Sequence, residues 1–368
     1  MDATVGLLFV ILSAGFALVV ILLFRRKPKK VEESADAIYA EGLNLLLAND
    51  KDEAHKKFRE AVSKDSHNVD AYLKIGDILR EQGRAERAIN VHKYLTVRTG
   101  LTAKQRQAVL HGLARDYQAA HEHENALRVL EKVISMDRNA LWAQEMKVEI
   151  HENQEEWAMA FRAYKELPQR NGELKNKKLA LYKVHEGMKL LEDELEKDAQ
   201  LCFREAMKID PQGPAGYICL ADSYKRENRS SEALRILKDF VSRVPSHSFL
   251  AFDRIEELMY EGGIYGEIEM FYLDLMKREP DNLQVKLALA ENYEKKGETE
   301  KAINICLEIL DKDPEHPAAR KDLVRLYRKA GNDGKALQIA LELIEESTDT
   351  DKQADFDFAT LLQNDGRD

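Results

Sequence analysis

The residues in this sequence best suited to chemistry are cysteines and histidines, and their spacing argues against a catalytic or metal site. Cys202, Cys219 and Cys306 are odd in number and far apart, so we expect neither a disulfide framework nor a structural zinc site. Three free thiols are typical of a reducing compartment. His121 and His123 are two residues apart, a spacing that does not share a helix face, and we expect them in a turn. We therefore predict no metal and no cofactor.

Sequence motifs for nucleotide, metalloprotease and serine-hydrolase chemistry are also absent. The chain contains no GxxxxGK[ST], GxGxxG, HExxH or GxSxG. Adjacent acids such as Glu155-Glu156 and Glu345-Glu346 are common in a chain of net charge -10 and are typical of solvated helix faces. That acidic balance disfavours nucleic-acid binding, which usually needs a basic surface. We predict a protein that binds other proteins and is not an enzyme.

Repeats of about 34 residues are the elements that would position binding residues. A tetratricopeptide repeat folds as two helices and needs a small residue where its second helix packs on the first. The intervals along the series of such residues are 34, 38, 34, 39, 34, 35, 34 and 34 residues. The series is Ala54, Ala88, Ala126, Ala160, Ala199, Ala233, Ile268, Ala302 and Ala336.

Other signature positions follow the same period. Small residues precede six members of the series by twelve positions: Gly42, Gly76, Ala114, Gly187, Ala221 and Ala290. Tyrosines that would fill the space between paired helices are Tyr117, Tyr224, Tyr293 and Tyr327, and prolines that would end second helices are Pro211, Pro245, Pro280 and Pro314. The sequence predicts an all-α, right-handed tetratricopeptide-repeat solenoid of about nine repeats over residues 35–347.

Three segments depart from the regular period. Insertions near Arg98 to Arg106 and near Pro168 to Lys178 are expected to form loops. The repeat around Ile268 carries three glycines near its inter-helix turn and is expected to bend the array locally. Residues 348–368 form an acidic tail, in which Ala354 to Leu362 are predicted to be a capping helix.

The N-terminal segment has the composition of a membrane anchor. Val5 to Phe24 contain no charge, and twenty helical residues span about 30 Å, the thickness of a bilayer core. Five of the six residues from Arg25 to Lys30 are basic, which predicts a cytoplasmic flank and an N-terminus outside. A cleaved signal peptide is disfavoured because no basic region precedes the apolar run and no small-residue cleavage site follows it. Residues 25–34 are expected to be a short charged linker.

Partner binding is expected on the inner surface lined by the first helix of each repeat. The candidate groove residues are Leu73, Asp77, Arg80, His111, Arg115, Asp116, Gln118, Asp222, Lys225 and Arg226. For any one of them, a solvated helix face is the alternative interpretation. Arg80 and Arg115 are expected to bind carboxylates, and their replacement by alanine is expected to leave the fold intact. Asp116 either faces the groove or orients a neighbouring arginine.

The first repeats resemble one family in detail. The residues that carry the resemblance are Tyr39-x-x-Gly42-x-Asn44-x-Leu46-Leu47-x-Asn49, Gly76-x-x-x-Arg80-x-x-Gly83, Arg87-Ala88-Ile89, His92, Leu101-Thr102, Gln105-Arg106, Leu113-x-Arg115-Asp116-Tyr117 and Glu156-Trp157. This stretch is similar to the lipopolysaccharide assembly protein B family of Gram-negative bacteria.

The resemblance implies a membrane-anchored cytoplasmic repeat array at the bacterial inner membrane. The family is an adaptor that links the committed deacetylase of lipid A synthesis to a membrane-bound AAA-type protease. It also carries two CxxC pairs in a C-terminal rubredoxin-like metal domain, and the present sequence contains no CxxC pair, so we expect that domain to be missing. The alternatives are a general repeat scaffold for another membrane assembly and, third, an enzyme.

Overall fold

The computed structural model describes residues 33–168 and 172–344. Within those ranges the chain forms helices and no β-strand, which confirms the predicted all-α tetratricopeptide-repeat fold. The predicted anchor at residues 5–24, nearly all of the linker and the predicted tail at residues 348–368 lie outside the described residues. Among the described helices, none combines the length and the apolar character needed to cross a bilayer.

The chain divides into two compact units, Met1–Glu155 and Glu156–Asp368. The described helices of unit 1 are α1 (Ala35–Leu47), α2 (Lys51–Lys64), α3 (Val69–Glu81), α4 (Ala85–Thr96), α5 (Ala103–Ala119), α6 (His123–Met136) and α7 (Leu141–Asn153). Those of unit 2 are α8 (Trp157–Glu166), α9 (Gly172–Glu192), α10 (Glu196–Ile209), α11 (Pro214–Arg226), α12 (Ser230–Arg243), α13 (Phe252–Glu261), α14 (Ile268–Arg278), α15 (Leu283–Lys295), α16 (Thr299–Leu310), α17 (Pro317–Lys329) and α18 (333–344).

In chain order these helices alternate as nine first helices and nine second helices, in agreement with the predicted repeat count. The nine members of the 34-residue series lie in the second helix of each pair, and each is at most 3% exposed. Tyr224, Tyr293 and Tyr327 are buried between helices as expected, and Tyr117 is partly buried. The small side chains let the two helices of a pair approach closely, which is why the period was visible in the sequence.

Between each first helix and the second helix that follows it, one residue has a left-handed backbone conformation. This residue lies five positions before the member of the series, and its φ is between +54° and +81°. The nine residues are Asn49, Gly83, His121, Glu155, Glu194, Asn228, Gly263, Gly297 and Gly331. Because glycine and asparagine tolerate this region best, the three other residues, His121, Glu155 and Glu194, hold a strained conformation. His121 thus lies in a turn, as predicted, whereas His123 is the first residue of α6.

The two insertions are part connector and part helix, so the expectation of loops holds for residues 98–102 and is wrong for the helical residues from Ala103 and from Gly172. The first adds a connector at residues 97–102 and lengthens α5 to 17 residues, which begin behind a capping box formed by Thr102 and Gln105. The second lengthens α9 to 21 residues. In its first turn the buried Lys175 donates hydrogen bonds to the carbonyls of Lys165 and Leu167, at 2.8 and 2.6 Å, which cap the end of α8.

The seventh pair departs most from the others. Its first helix begins as a 3₁₀ segment, Pro245–Ala251, before α13, and a second 3₁₀ turn, Tyr265–Glu267, precedes α14. Ile268, in place of alanine, is fully buried at the start of α14. The expected bend of the array at this pair stays a prediction.

Candidate protein-binding cleft

In unit 1 the first helices of three successive pairs, α1, α3 and α5, line a cleft of about 250 Å³. Four of the predicted groove residues line it: Leu73, Asp77, His111 and Arg115. The cleft is completed by Tyr39, Asp70, Lys74, Ala108 and Gly112. The structure thus brings together predicted residues that are far apart in sequence, and their binding of a partner stays a prediction.

Beneath the cleft lies a buried polar network that joins α3, α4 and α5. Arg80 donates to Asp77 at 2.7 Å and to Asp116 at 2.9 Å, and Asp116 is also hydrogen-bonded to Nδ1 of His92. The Asp116 and His92 side chains are fully buried and that of Arg80 is 8% exposed. Because a carboxylate only accepts, Nδ1 of His92 carries the donated proton.

This placement differs from what we expected of Arg80 and Asp116. Both were predicted beside the groove, and replacement of Arg80 was expected to leave the fold intact. The Arg80 side chain instead lies between two carboxylates, one of them fully buried, so its removal leaves Asp116 with His92 as its one remaining partner among the described residues. Of the two alternatives for Asp116, the one in which it orients a neighbouring arginine agrees with these contacts.

Two glycines make room for the His92 ring. A Cβ built on Gly76 of α3 would overlap the ring, and one on Gly112 of α5 would lie 2.8 Å from its Cε1. The ring is therefore held between two helix backbones, with Nε2 buried and without a hydrogen bond to any described residue. Gly112 also lines the cleft, so His92 supports the floor of the cleft from below.

Burial and neighbouring charges shift the pKa values of two groups at the cleft, Arg80 and His111. Burial lowers the pKa of Arg80, but its hydrogen bonds to Asp77 and Asp116 outweigh that effect and the net shift is upward. Burial and the neighbouring Arg115 lower the pKa of His111, whose ring packs 4.4 Å from that of Trp142. His111 is therefore neutral at pH 7.

Two cations at the cleft remain available to a partner. Lys74 lines the cleft from α3 and Arg115, which is exposed, lines it from α5. Neither makes an ion pair with any residue that the structure describes, whereas Asp77 already binds Arg80. An unpaired guanidinium and an unpaired ammonium beside Leu73 and Tyr39 form a surface for an acidic segment with an apolar side chain.

The other predicted groove residues have partners within the chain or lie in unit 2. Gln118 donates to Glu149 at 3.1 Å on the same unit. In unit 2, Asp222 and Lys225 line a second cleft of about 220 Å³ together with Arg254 and Glu257. Asp222 binds Arg254 at 3.0 Å and Lys225 binds Glu257 at 2.6 Å. Arg226 is exposed on α11.

His92 is the residue of this region to which the sequence interpretation gave no role. The same repeat position holds Phe58, Leu130, Tyr164, Phe203, Leu237, Tyr272, Cys306 and Ala340 in the other pairs. A histidine among mostly apolar residues at one core position is a visible signal of a buried polar contact. Its partner Asp116 is on another helix pair, and the repeat period alone does not identify that contact.

The cysteines and the His121–His123 turn lack the geometry of a reactive or metal site. Burial raises the pKa of Cys202 to about 11 and that of Cys306 to about 12, which keeps both as neutral thiols at neutral pH. Within residues 33–168 and 172–344 no three histidine, cysteine or acidic side chains lie close enough together to hold a metal ion.

Fold and cleft together define a tetratricopeptide-repeat protein. The tetratricopeptide-repeat family is matched over residues 39–91 and again over residues 273–343. Solved structures to which the chain is similar include a tetratricopeptide repeat protein from Parabacteroides merdae. It is 13% identical with a TM-score of 0.36, and the likeness covers 79% of this chain and 98% of that one.

Among curated proteins the chain is similar to lipopolysaccharide assembly protein B. It is 30% identical to the Escherichia coli K12 protein over 122 residues, which cover 33% of this chain and 31% of that protein. It is 23% identical to the Haemophilus influenzae protein over 286 residues, which cover 74% of this chain and 71% of that protein. The match with the E. coli relative thus spans about a third of its length.

Proposed function

We propose that this chain is a membrane-tethered adaptor that captures an acidic segment of a client protein in the α1–α3–α5 cleft. The observation that carries the proposal is the pair of unpaired cations, Lys74 and Arg115, above a floor fixed by the Arg80–Asp116–His92 network. A hydrogen bond between an unpaired cation and a carboxylate is charge-assisted, so the contact adds affinity and orientation.

The buried network supports the choice of Arg115, and not Arg80, as the arginine that binds a client. Arg80 is held by two carboxylates, so its guanidinium is not available to a client. Arg115, on the next first helix, is exposed and faces the same cleft. Leu73 and Tyr39 supply apolar surface beside these charges. The cleft is therefore suited to a peptide with an acidic and an apolar side chain a few residues apart.

Tethering to a bilayer is supported by the sequence outside the described residues. Val5 to Phe24 are apolar over the length of a membrane span, and five of the next six residues are basic. In the proposal these residues cross the inner membrane once, with the repeat array in the cytoplasm. Fusion of a reporter that is active only in the periplasm after Asp368 tests the orientation, and an active fusion contradicts it.

Similarity to lipopolysaccharide assembly protein B supports a role in cell-envelope biogenesis. The proposed clients are the lipid A deacetylase and the membrane-bound AAA-type protease that the family resemblance implies. A general scaffold for another membrane assembly is the alternative. The two differ in the identity of captured proteins, which purification from membranes followed by mass spectrometry determines.

Charge reversal in the cleft tests the proposal. Lys74→Glu with Arg115→Glu is expected to lower client recovery at least tenfold, because loss of a charge-assisted contact costs about 1.5–3 kcal/mol. The matched control is Arg128→Glu with Lys132→Glu, two exposed cations on the second helix α6. Both variants change the net charge equally. Equal recovery from the two variants, at unchanged melting temperature, contradicts binding in the cleft.

A further inference from the structure

Unit 1 has two edges of different composition. At the inter-repeat edge, first helices begin and second helices end, as the 2.9 Å hydrogen bond from Lys64 Nζ near the end of α2 to the Glu33 carbonyl before α1 shows. Tyr72 near the start of α3 packs 5.9 Å from Tyr94 near the end of α4 on the same edge. At the opposite, turn edge, each first helix turns into its second helix.

The inter-repeat edge carries a basic and apolar surface, the 93–106 patch. Residues 93–106 contain four basic residues and no acid: Lys93, Arg98, Lys104 and Arg106. Lys93, Lys104 and Arg106 are exposed and make no ion pair within the described part of the chain. Beside them Val97 is 77% exposed, Met136 56% and Tyr94 52%. Val97 and Tyr94 thus place apolar side chains beside positive charge at this edge.

Arg98 holds an arrangement suited to a water–hydrocarbon boundary. Its guanidinium lies 4.8 Å from the ring centres of both Tyr72 and Tyr94 and donates to the Tyr94 hydroxyl at 3.2 Å. Tyrosine and arginine each combine an apolar body with a polar end, and both are favoured where one side is wet and the other apolar. The stack therefore presents aromatic surface and positive charge together.

The turn edge of the same unit is more acidic than the inter-repeat edge. Residues 47–53, 81–87, 120–124 and 152–155 contain nine acids and three bases, whereas residues 33–36, 61–72, 93–106 and 133–144 of the inter-repeat edge contain five acids and six bases. An anionic surface attracts the inter-repeat edge and repels the turn edge. The charge difference thus selects one orientation of unit 1 against such a surface.

We infer that the 93–106 patch, with Met136, rests on an anionic phospholipid bilayer. The inference relies on the proposed tether for the proximity of that bilayer. Ten residues separate the apolar run ending at Phe24 from α1, which starts at the inter-repeat edge. Fully extended, they reach at most about 35 Å, so the anchor keeps this edge near the lipid headgroups.

Site-specific fluorescence in proteoliposomes of the full chain tests the inference. An environment-sensitive fluorophore is attached at Val97→Cys in a Cys219→Ser background, because Cys219 is the one native cysteine that is not buried. The matched control is the same label at Leu47→Cys, since Leu47 is 87% exposed at the turn edge. Vesicles are phosphatidylcholine with or without phosphatidylglycerol, and the lipids carry brominated acyl chains as quenchers.

We expect the Val97 label to be quenched in phosphatidylglycerol vesicles, and the Leu47 label to be unaffected. Lys104→Glu with Arg106→Glu is expected to abolish that quenching with an unchanged melting temperature, because acids are favourable in the first turn of α5. Higher salt is expected to weaken the quenching, as for any screened surface attraction. Equal behaviour of the two labels, or a Val97 signal indifferent to phosphatidylglycerol, overturns the inference.

Different results contradict the proposed membrane tether and the inferred lipid contact. Carbonate extraction of the proteoliposomes reports whether the chain is integral, and its release contradicts the proposed tether. A chain that stays in the bilayer while the Val97 label remains unquenched contradicts the lipid contact alone. If the Lys104→Glu, Arg106→Glu variant loses client capture or changes oligomeric state without any lipid effect, the patch binds protein and the inference is wrong.

Discussion

His92 in unit 1 and Phe203 in unit 2 occupy the same repeat position, and each ring packs against a glycine of the first helix. Their other contacts differ. Both are fully buried, and a Cβ on the facing glycine, Gly76 or Gly187, would meet the ring at or within 2.5 Å. The Phe203 ring belongs to a continuous apolar core. The His92 ring hydrogen-bonds Asp116 and, through it, Arg80.

The comparison shows that the contact that packs the two helices of a pair together differs from the contact that links one pair to the next. A flat ring over glycine is sufficient to close a pair, as Phe58 over Gly42 shows again within unit 1. The charged network below the cleft adds contacts to the next pair that an apolar ring lacks. Buried ion pairs are weak sources of stability, and they constrain which arrangement of side chains is allowed. Here they fix the cleft floor.

Removal of Asp116 is expected to cause the largest loss of stability, because it breaks the charged network that the Phe203 position lacks. Asp116→Ala leaves Arg80 without its buried partner and His92 Nδ1 unpaired, so unit 1 is expected to lose about 3–5 kcal/mol of stability. Urea unfolding followed by Trp142 fluorescence in a Trp157→Phe background reports unit 1, because Trp142 lies in α7. Glu81→Ala, which removes an ion pair with Lys51 in unit 1 between side chains that are 47% and 44% exposed, is the control and is expected to cost under about 1 kcal/mol. Similar losses would show that burial of the network carries no extra cost.

Conversion of the network to an apolar core is expected to preserve or raise the stability of unit 1. Arg80→Met, His92→Phe and Asp116→Leu together make this pair resemble the one around Phe203. We expect stability between unchanged and about 4 kcal/mol higher, because replacing a buried ionic cluster by packed apolar groups removes its desolvation cost. The same unfolding assay measures it. A marked loss of stability would mean that the space between Gly76 and Gly112 accepts only an imidazole.

Replacing a glycine that packs against a buried ring by alanine is expected to lower the stability of either unit by an intermediate amount. Gly76→Ala and Gly187→Ala each place a methyl group against a buried ring, and about 1–3 kcal/mol of destabilisation is expected. Gly334→Ala is the control because nothing lies within 4 Å of a Cβ there and its helix is expected to gain slightly. Thermal melts compare the three. Loss at Gly76 alone would show that only the charged pair is closely packed.

The smallest effect is expected at the turn residues, where both units share one backbone conformation. Glu194→Gly relieves a side chain at φ +60° and is expected to stabilise unit 2 by about 0.5 kcal/mol. Gly297→Ala makes the reverse change at φ +81° in open space and is expected to destabilise by about 1 kcal/mol. Chemical denaturation of both variants gives the two signs, and equal signs would contradict a backbone origin.

Local patterns in the sequence determined the helix pairs and their period. Alanine recurs at eight of the nine series positions, glycine or alanine lies twelve positions before six of them, and proline follows four of the second helices, so the period is visible within single repeats. Asn49, Gly83 and Gly263 also mark turns whose left-handed backbone a sequence pattern can indicate. The polar composition of the two insertions is shared by solvated helices and connectors, so the sequence did not show where each connector ends and its helix begins.

Tertiary structure alone decided which polar residues are free to bind. Arg80 and Arg115 are both arginines on first helices of neighbouring pairs, and the periodic pattern predicts the groove for each. One is held by Asp77 and the fully buried Asp116, whereas the other is exposed at the cleft. The difference arises because a contact between pairs depends on how α3, α4 and α5 stack, and stacking joins residues 36 positions apart, such as Arg80 and Asp116. A pattern confined to one repeat contains no information about that contact.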